Sequence, residues 1–144
     1  MAIPIPGGPT IKHTRFSKTF ADSAGNGAVG DVTLFTITGR VWLLGFTAFC
    51  TDGLTEAGAT ATIQIGTAAV DGGVIAVVNA VDIDTNEFWT GGTPVAELDQ
   101  MDTAQVDVLL SADIVAKITS QAVSGGTIIF DAWYKSITSN GALT

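Results

Sequence analysis

The alternation of apolar and polar positions predicts a chain built from β-strands, and the longest of them lies at Arg40–Thr51. With a period of two, one face of this stretch is apolar throughout and carries Trp42, Leu44, Phe46, Ala48 and Cys50. We expect that face to lie on the core. The opposite face is also too apolar for open water, and it carries Val41, Leu43, Gly45, Thr47 and Phe49. A second layer or a neighbouring subunit is therefore expected to cover it.

Further strand-like segments follow at intervals typical of a β-sandwich. They are Asp31–Thr38, Ala59–Gly66, Val74–Ala80, Ala104–Leu110, Asp113–Gln121 and Thr127–Ile137. A change of phase at Leu34–Phe35 predicts a β-bulge, and Val74–Ala80 is expected to be a buried strand. We expect a jelly-roll-like sandwich of about eight strands, with an immunoglobulin-like sandwich as the alternative.

The N-terminal residues differ in composition from the rest of the chain. Residues 1–11 hold three of the four prolines, which excludes a helix or a central strand and predicts an extended arm. Residues 1–18 carry a charge of +3 and no acid, whereas residues 19–144 hold 3 basic and 14 acidic residues, a charge of −11. Two interpretations of the basic segment stay open: it docks on a partner, or it forms a solvated first strand with Phe16 and Phe20 turned inward.

This composition gives the predicted organisation of the chain. Residues 1–18 form the arm and basic first segment, residues 19–137 form the sandwich, and residues 138–144 form a small polar tail that is expected to fray.

Charge and cysteine content narrow the classes of function. The formal net charge is −8, which argues against nucleic acid as the main partner because phosphates repel such a surface. The single cysteine, Cys50, cannot form an internal disulfide, so no oxidising compartment is implied. The pattern of a signal peptide is missing, and no apolar run reaches the ~18 residues of a membrane span. We expect synthesis in a cytosol, no membrane partner and no cofactor.

Residues that suggest catalysis or metal binding are few. Part of a calcium loop is suggested by the spacing of Asp82, Asp84, Asn86 and Glu87. The match fails because Glu87 stands where the loop needs glycine and Thr93 where it needs a bidentate glutamate. His13 is the only histidine and no Gly-x-Ser-x-Gly motif occurs, so a nucleophilic triad is not predicted. Three loop carboxylates leave a small hydrolase as a hypothesis: Glu56, Glu87 and Glu97.

Two tryptophans are candidates for a ligand-binding surface. Trp89 and Trp133 are flat aromatic side chains of the kind that stack on sugars, and the alternative for both is packing in the core or at an interface. Trp133 shares a strand face with Asp131 and Lys135, which predicts a position that is exposed or at an interface. Cys50, in contrast, lies in phase with the apolar face and is expected to be buried and unreactive.

The order of features along the chain adds a resemblance. A Pro/Gly arm precedes a basic strand, a long apolar strand, Ile-Gln-Ile-Gly-Thr-Ala, and Val-Ile-Ala-Val-Val-Asn-Ala-Val-Asp-Ile-Asp with a tryptophan just after it. The chain closes with Gly-Gly-Thr-Ile-Ile-Phe-Asp-Ala-Trp-Tyr-Lys-Ser-Ile. This pattern resembles small β-sandwich virion proteins of tailed bacteriophages, most of all head-decoration (capsid-cementing) proteins. The resemblance covers most of the chain and includes no diagnostic motif. It implies trimers at local threefold points of an icosahedral shell, without catalytic residues.

We therefore expect an oligomeric cement protein, made in the host cytoplasm, that binds the major capsid protein on the outer capsid surface. The candidates for contact with the capsid are Ile3, Ile5, Ile11, Lys12, Arg15 and Lys18. The candidates for the interface of a homotrimer are Val41, Leu43, Phe49 and Trp133. The alternative is a carbohydrate- or receptor-binding module of a phage tail or fibre that uses Trp89 or Trp133.

Overall fold

The computed structural model describes residues 10–96 and 107–144, which form eleven strands and one short 3-10 turn, Ala80–Asp82. The strands are β1 (Lys12–Thr19), β2 (Gly30–Phe35), β3 (Ile37–Thr38), β4 (Val41–Glu56), β5 (Thr62–Gly66), β6 (Ile75–Asn79), β7 (Phe88–Trp89), β8 (Val108–Leu110), β9 (Ile114–Thr119), β10 (Val123–Ser136) and β11 (Ala142–Leu143). Within these two ranges no helix is long and apolar enough to cross a membrane.

The strands form two main antiparallel sheets. The first has the order β1-β10-β4-β7, with β8 also paired to β4, and the second has the order β2-β9-β5-β6. A small third pairing joins β3 and β11. The core draws on both sheets, with Phe46 and Phe130 from the first and Ile63 and Ile118 from the second. The prediction of an all-β sandwich is confirmed.

An aromatic cluster joins the sheets through the core. Phe35 of the second sheet lies 6.1 Å from Phe16 and 6.0 Å from Phe46, measured between ring centroids, and both partners belong to the first sheet. Phe46 in turn lies 5.9 Å from Phe130 on the neighbouring strand. Burial of a phenylalanine side chain is worth about 1.5–3 kcal/mol. The cluster therefore contributes substantially to holding the two sheets together.

A bulge in β4 determines which of its side chains face the core. Trp133 of β10 pairs with Gly45, but the next residue, Tyr134, pairs with Leu43, so that Leu44 is an extra residue in the ladder. One extra residue reverses the alternation of faces beyond it. The core-facing side chains of β4 are consequently Val41, Leu43, Phe46, Ala48, Cys50 and Leu54.

This bulge corrects part of the predicted face assignment. Trp42 and Leu44 were expected on the core face, but both are only partly buried. Val41 and Leu43 were expected at a subunit interface, but both are completely buried in the core of their own chain. They are therefore not available for contact with a second copy. The bulge predicted at Leu34–Phe35 is confirmed, because the pairing of β2 with β9 shifts between Thr33 and Phe35.

Three further segments differ in extent from their predictions. The strand predicted at Ala59–Gly66 begins only at Thr62. Of the apolar set expected on its one face, Ala61, Ile63 and Ile65 are buried, but Ala59 is exposed. The stretch Val74–Ala80 was expected to be buried, but it forms the edge strand β6, in which only Ile75 is fully buried. Of the strand predicted at Ala104–Leu110, residues 104–106 lie outside the described residues.

The C-terminal tail does not fray, contrary to expectation. Ala142 and Leu143 pair with Thr38 and Ile37, and Leu143 is buried. Two backbone hydrogen bonds between Thr36 and Thr144, with N···O distances of 2.7 and 3.0 Å, complete the pairing. The apolar Leu143 explains this order, because its burial offsets part of the entropy lost by the tail.

The basic segment forms the edge strand β1. It pairs with β10 along its whole length, from Lys12 opposite Tyr134 to Thr19 opposite Thr127. Phe16 packs against the core, and Phe20, just after the strand, is buried. The interpretation of this segment as a first strand is thus confirmed. Ile3 and Ile5 lie outside the described residues, and their contact with a partner stays a prediction.

Candidate functional site

A buried carboxylate joins β1 to β10 on the outer face of the first sheet. Asp131 is only 7% exposed, and both of its oxygens are bound by side chains of β1. Arg15 donates from Nε to Oδ1 at 2.8 Å and from Nη2 to Oδ2 at 3.1 Å. The Nε2 atom of His13 lies 2.6 Å from Oδ1 and donates to it, since an ionised carboxylate only accepts. The arrangement is a bidentate ion pair reinforced by a third hydrogen bond.

The pKa of Asp131 reflects these contacts. Burial by itself raises the pKa of this carboxyl group, but the hydrogen bonds from Arg15 and His13, together with their charges, lower the pKa below its ordinary value. The hydrogen bond to Asp131 and its charge also raise the pKa of Arg15. The His13 ring is stacked on Trp133, with ring centroids 5.0 Å apart. The cluster therefore holds the edge strand in place and covers one face of Trp133.

The other basic side chains of β1 also have partners within the chain. Lys12 Nζ donates to Ser136 Oγ at 3.0 Å and lies 6.0 Å from the centre of the Tyr134 ring. Lys18 Nζ donates to Asn26 Oδ1 at 2.7 Å and to the carbonyl oxygen of Gly25 at 3.1 Å. Lys12, Arg15 and Lys18 were expected to face a capsid. In the structure each of them forms hydrogen bonds within the sandwich itself.

The two remaining interface candidates lie on the outer face of the first sheet. Phe49 packs against Phe88 of β7 with ring centroids 4.6 Å apart, and it pairs across the ladder with Ile129. All three side chains, like Trp133, are partly exposed. This face therefore presents apolar surface that a second copy can cover.

A second apolar surface, which the sequence pattern did not reveal, lies at one end of the sandwich. The start of β1, the end of β10 and the start of β4 meet there, because Lys12 pairs with Tyr134 while Val41 pairs with both Ser136 and Leu110. Leu109 is 73% exposed, and three more large apolar side chains are at least half exposed. We call this surface the apolar end and define it by Ile11, Val70, Leu109 and Ile137.

Two grooves flank Leu109. One has a volume of about 190 Å³ and is lined by Gly66, Thr67, Val70, Gly73, Val74, Val108, Leu109 and Leu110. The other has a volume of about 330 Å³ and is lined by Arg40, Leu109, Leu110, Ser111 and Ile137. The apolar triplet at 108–110 was the available signal in the sequence. Its central residue alternates with Val108 and Leu110 and is exposed at the rim of the first sheet, where β8 pairs with β4.

The acidic residues close in sequence to the apolar end are bound within the chain. Asp71 Oδ2 accepts from Lys117 Nζ at 2.6 Å, and this contact raises the pKa of Lys117. Asp107 accepts a hydrogen bond from the Trp42 indole, and Asp113 Oδ1 accepts from the backbone N–H of Ile37 at 2.8 Å. These carboxylates therefore already have partners, whereas the apolar side chains beside them are exposed.

The two described carboxylates of those expected in loops, Glu56 and Glu87, each bind backbone N–H groups nearby in their own loops. Glu56 Oε2 accepts from the backbone N–H groups of Thr60 and Ala61 at 2.9 and 2.5 Å, and Glu87 Oε2 accepts from that of Asp84 at 2.9 Å. Glu97 lies outside the described residues. In the described part of the chain, no three His, Cys, Asp or Glu side chains are grouped as metal ligands. The contacts of Glu56 and Glu87 therefore do not support the hydrolase hypothesis.

Trp89 and Cys50 are core residues. Trp89 is completely buried, so its proposed role as a sugar-stacking platform is wrong. Its Nε1 has no hydrogen-bond partner among the described residues. Cys50 is buried as expected, its thiol donates to the Asp52 carbonyl oxygen at 3.1 Å, and burial raises its pKa to about 11.

No protein-family model and no curated protein matches the sequence. Structural comparison finds chains of phage capsids. A chain of the cyanophage Pam1 capsid asymmetric unit is similar over 89% of this chain and 86% of its own, with 16% identity and a TM-score of 0.45. A chain of the Ralstonia phage GP4 capsid is similar over 96% and 93%, with 15% identity and a TM-score of 0.45. A chain of the acid-stable capsid of Helicobacter pylori bacteriophage KHP30 is similar over 94% and 98%, with 8% identity and a TM-score of 0.41. These values describe a distant likeness.

Proposed function

We propose that this protein is a structural component of a phage virion, a homotrimeric decoration protein that binds the major capsid protein on the outer capsid surface. The class of partner comes from the resemblance of the sequence pattern to capsid-cementing proteins. The observation that carries an adhesive role is the apolar end, where Leu109 is 73% exposed between two grooves. Exposed apolar surface of this kind marks sites of protein–protein contact.

Apolar burial supplies the mechanism. Full burial of a side chain such as Leu109 or Ile137 is worth about 1.5–3 kcal/mol before the losses of association are subtracted. A protein that binds only the assembled shell stabilises that state by mass action. The remaining surface carries the net negative charge, which favours dispersion of the decorated particles. Ile11 belongs to this contact, whereas Lys12, Arg15 and Lys18 stabilise β1.

The topology fits the proposal. The chain passes from sheet to sheet so that the sheet orders become β1-β10-β4-β7 and β2-β9-β5-β6. Strands from early in the sequence thus pair with strands from late in the sequence in both sheets. We infer from this pairing that the sandwich is a jelly roll, an architecture common in viral capsid proteins. For the trimer, we propose the outer face of the first sheet around Phe49 and Trp133 as the contact between copies.

Sedimentation with undecorated capsids tests the function. The purified protein should sediment with the capsids, and Leu109→Asp should weaken binding at least tenfold because it places a charge in the buried contact. Val29→Asp is the matched control, since Val29 is 59% exposed but precedes β2 at the opposite end of the sandwich. If wild type stays in the supernatant, or if both variants weaken binding equally, the apolar end is not the capsid-binding surface.

A further inference from the structure

Two asparagines of the chain, Asn26 and Asn140, are followed directly by glycine. Both asparagine side chains are exposed, whereas the glycine after each of them is buried. An asparagine loses its side-chain amide most readily before glycine, because glycine has no Cβ to hinder the approach of its backbone nitrogen to the asparagine Cγ. The two dipeptides therefore offer the same chemistry in two different surroundings.

The amide group of Asn26 is held at both of its polar atoms. Its Nδ2 donates to Ser23 Oγ at 3.1 Å, and its Oδ1 accepts from Lys18 Nζ at 2.7 Å. The backbone N–H of Gly27, which would supply the attacking nitrogen, donates to the Ser23 carbonyl oxygen at 3.2 Å. Attack at this site therefore requires that two side-chain hydrogen bonds and one backbone hydrogen bond break.

The amide group of Asn140 lies in the turn that joins β10 to β11. A hydrogen bond from the backbone N–H of Gly141 to the Thr138 carbonyl oxygen, 2.9 Å long, closes this turn. In the described part of the chain the side-chain amide of Asn140 makes no hydrogen bond, and its Oδ1 lies beside Gly39. The attacking nitrogen is thus held by one backbone hydrogen bond, as at Gly27, but the amide that it attacks is not held.

Packing of the turn requires the glycine that makes this asparagine reactive. A Cβ added to residue 141 would lie 2.3 Å from the carbonyl oxygen of Arg40, just before β4. The same oxygen accepts from the backbone N–H of Ile137 at 2.9 Å, which fixes Arg40 against the end of β10. The reactive dipeptide is therefore a consequence of the fold.

We propose that Asn140 is a site of spontaneous deamidation in the folded protein, and that the fold protects Asn26. The backbone nitrogen of Gly141 loses its proton to a solvent base and attacks Cγ of Asn140. The new C–N bond closes a succinimide ring while the Cγ–Nδ2 bond breaks and ammonia leaves. Water then opens the ring at either carbonyl and gives aspartate or isoaspartate. The reaction consumes water, releases ammonia and needs no oxidant or enzyme.

The product changes the apolar end, a consequence that rests on the proposed contact with the capsid. The turn directly follows Ile137 and packs on Arg40, and these two residues line the larger groove beside Leu109. A carboxylate loses more free energy than an amide when it leaves water for a contact. Deamidation therefore adds a negative charge at the border of the contact and weakens capsid binding by older copies.

Peptide mapping of the folded protein tests the modification. Trypsin places Asn140 in the peptide that begins at Ser136 and Asn26 in the peptide 19–40, and neither peptide holds another asparagine or a glutamine.

In mildly alkaline buffer, the peptide with Asn140 should gain the mass of an exchange of NH2 for OH roughly tenfold faster, because two further hydrogen bonds hold Asn26. In urea both peptides should convert at similar rates. Conversion of Asn140 no faster than that of Asn26 in folded protein overturns the proposal. A difference that persists in urea also overturns it, because the fold would not be its cause.

Sedimentation with undecorated capsids tests the consequence. Asn140→Asp should weaken binding several-fold, whereas Asn26→Asp should not, because Asn26 lies beside Lys18 at the end of β1 away from the apolar end. Equal binding by the two variants overturns the effect on adhesion. Wild-type protein that stays in the supernatant removes the capsid function and this effect together. The peptide map contains no capsids and decides the modification in either case.

Discussion

The substitution Asp131→Asn tests whether the buried carboxylate holds the edge strand β1 on the sheet. Asparagine has nearly the same shape, but it lacks the charge, and its amide group is itself a donor. It therefore cannot accept the full set of hydrogen bonds that Arg15 and His13 now donate to Asp131 at 2.6–3.1 Å.

The expected magnitude follows from the burial of each partner. A hydrogen bond to a charged group is worth about 1.5–3 kcal/mol when its partners are desolvated. Here Asp131 is buried, but Arg15 and His13 are largely exposed and regain water when the carboxylate is removed. We therefore expect Asp131→Asn to lower the free energy of unfolding by about 1–2 kcal/mol at neutral pH, towards the lower end of that range.

The pH dependence separates charge from shape. The pKa of Asp131 is lowered in the folded protein, so its contribution is complete above the ordinary carboxyl pKa of about 4. The contribution is lost as the pH falls through the folded pKa, because the folded state then gains the proton as well. The difference between wild type and variant should be complete at pH 7, shrink below about pH 4 and disappear at lower pH.

Urea unfolding followed by tryptophan fluorescence measures this difference at each pH. Asp71→Asn is the matched control, because Asp71 forms its ion pair with Lys117 in a largely exposed position and should lose much less stability. An Asp131→Asn variant that is no less stable than Asp71→Asn at pH 7 would refute a stabilising role for the Asp131 ion pair. A stability deficit of Asp131→Asn that is unchanged at the lowest pH at which the protein remains folded would refute it equally.

Three further predictions concern Cys50 and Trp89 in the core and the irregular pairing of β10 with β4 at Gly126. A thiol reagent should label Cys50 only in unfolded protein, since the side chain is 1% exposed and its pKa is raised to about 11; labelling of native protein within minutes would contradict this. Calorimetry should show that Trp89→Ala costs roughly 3–5 kcal/mol and Trp89→Phe less, because phenylalanine retains packing and removes the unpaired indole donor. Gly126→Ala should lower the Tm, because φ is +105° and an added Cβ would lie 2.7 Å from the Gly53 carbonyl oxygen; Gly92→Ala, where space is open, should not.

The sequence pattern predicted strands well where alternation is uninterrupted. The inward set of β10, which includes Ile128, Phe130 and Ala132, lies in the core as the period of two requires. The pattern failed in β4 because the bulge at Leu44 results from its register with β10, which is some 90 residues away in the chain. A bulge can be seen in a sequence only where one face of the strand is apolar and the other polar, because the extra residue then shifts the apolar positions to the other face. Both faces of β4 are apolar, so the shift leaves no trace in its sequence.

Position within a sheet was the second property that local pattern could not supply. The segment Val74–Ala80 reads as buried because it is apolar, yet topology places it at an edge, where Val77 is exposed. Asp131 shows the converse. The period of two places it on the outer face, and it is buried only because Arg15 and His13 of β1 cover it. Whether Val77 and Asp131 are buried therefore depends on which strand lies beside each of them.

The basic N-terminal segment suggested electrostatic docking, and that contact with a capsid stays a prediction. Each of its cations is occupied by a partner in the sandwich: Ser136 for Lys12, Asp131 for Arg15, and Asn26 for Lys18. Exposed ion pairs contribute little to association, whereas apolar side chains contribute in proportion to the area they bury. Within the sandwich, the positive charge before residue 19 therefore helps to fasten β1 to its neighbours. The surfaces that we propose for partners are the apolar end and the outer face of the first sheet around Phe49 and Trp133.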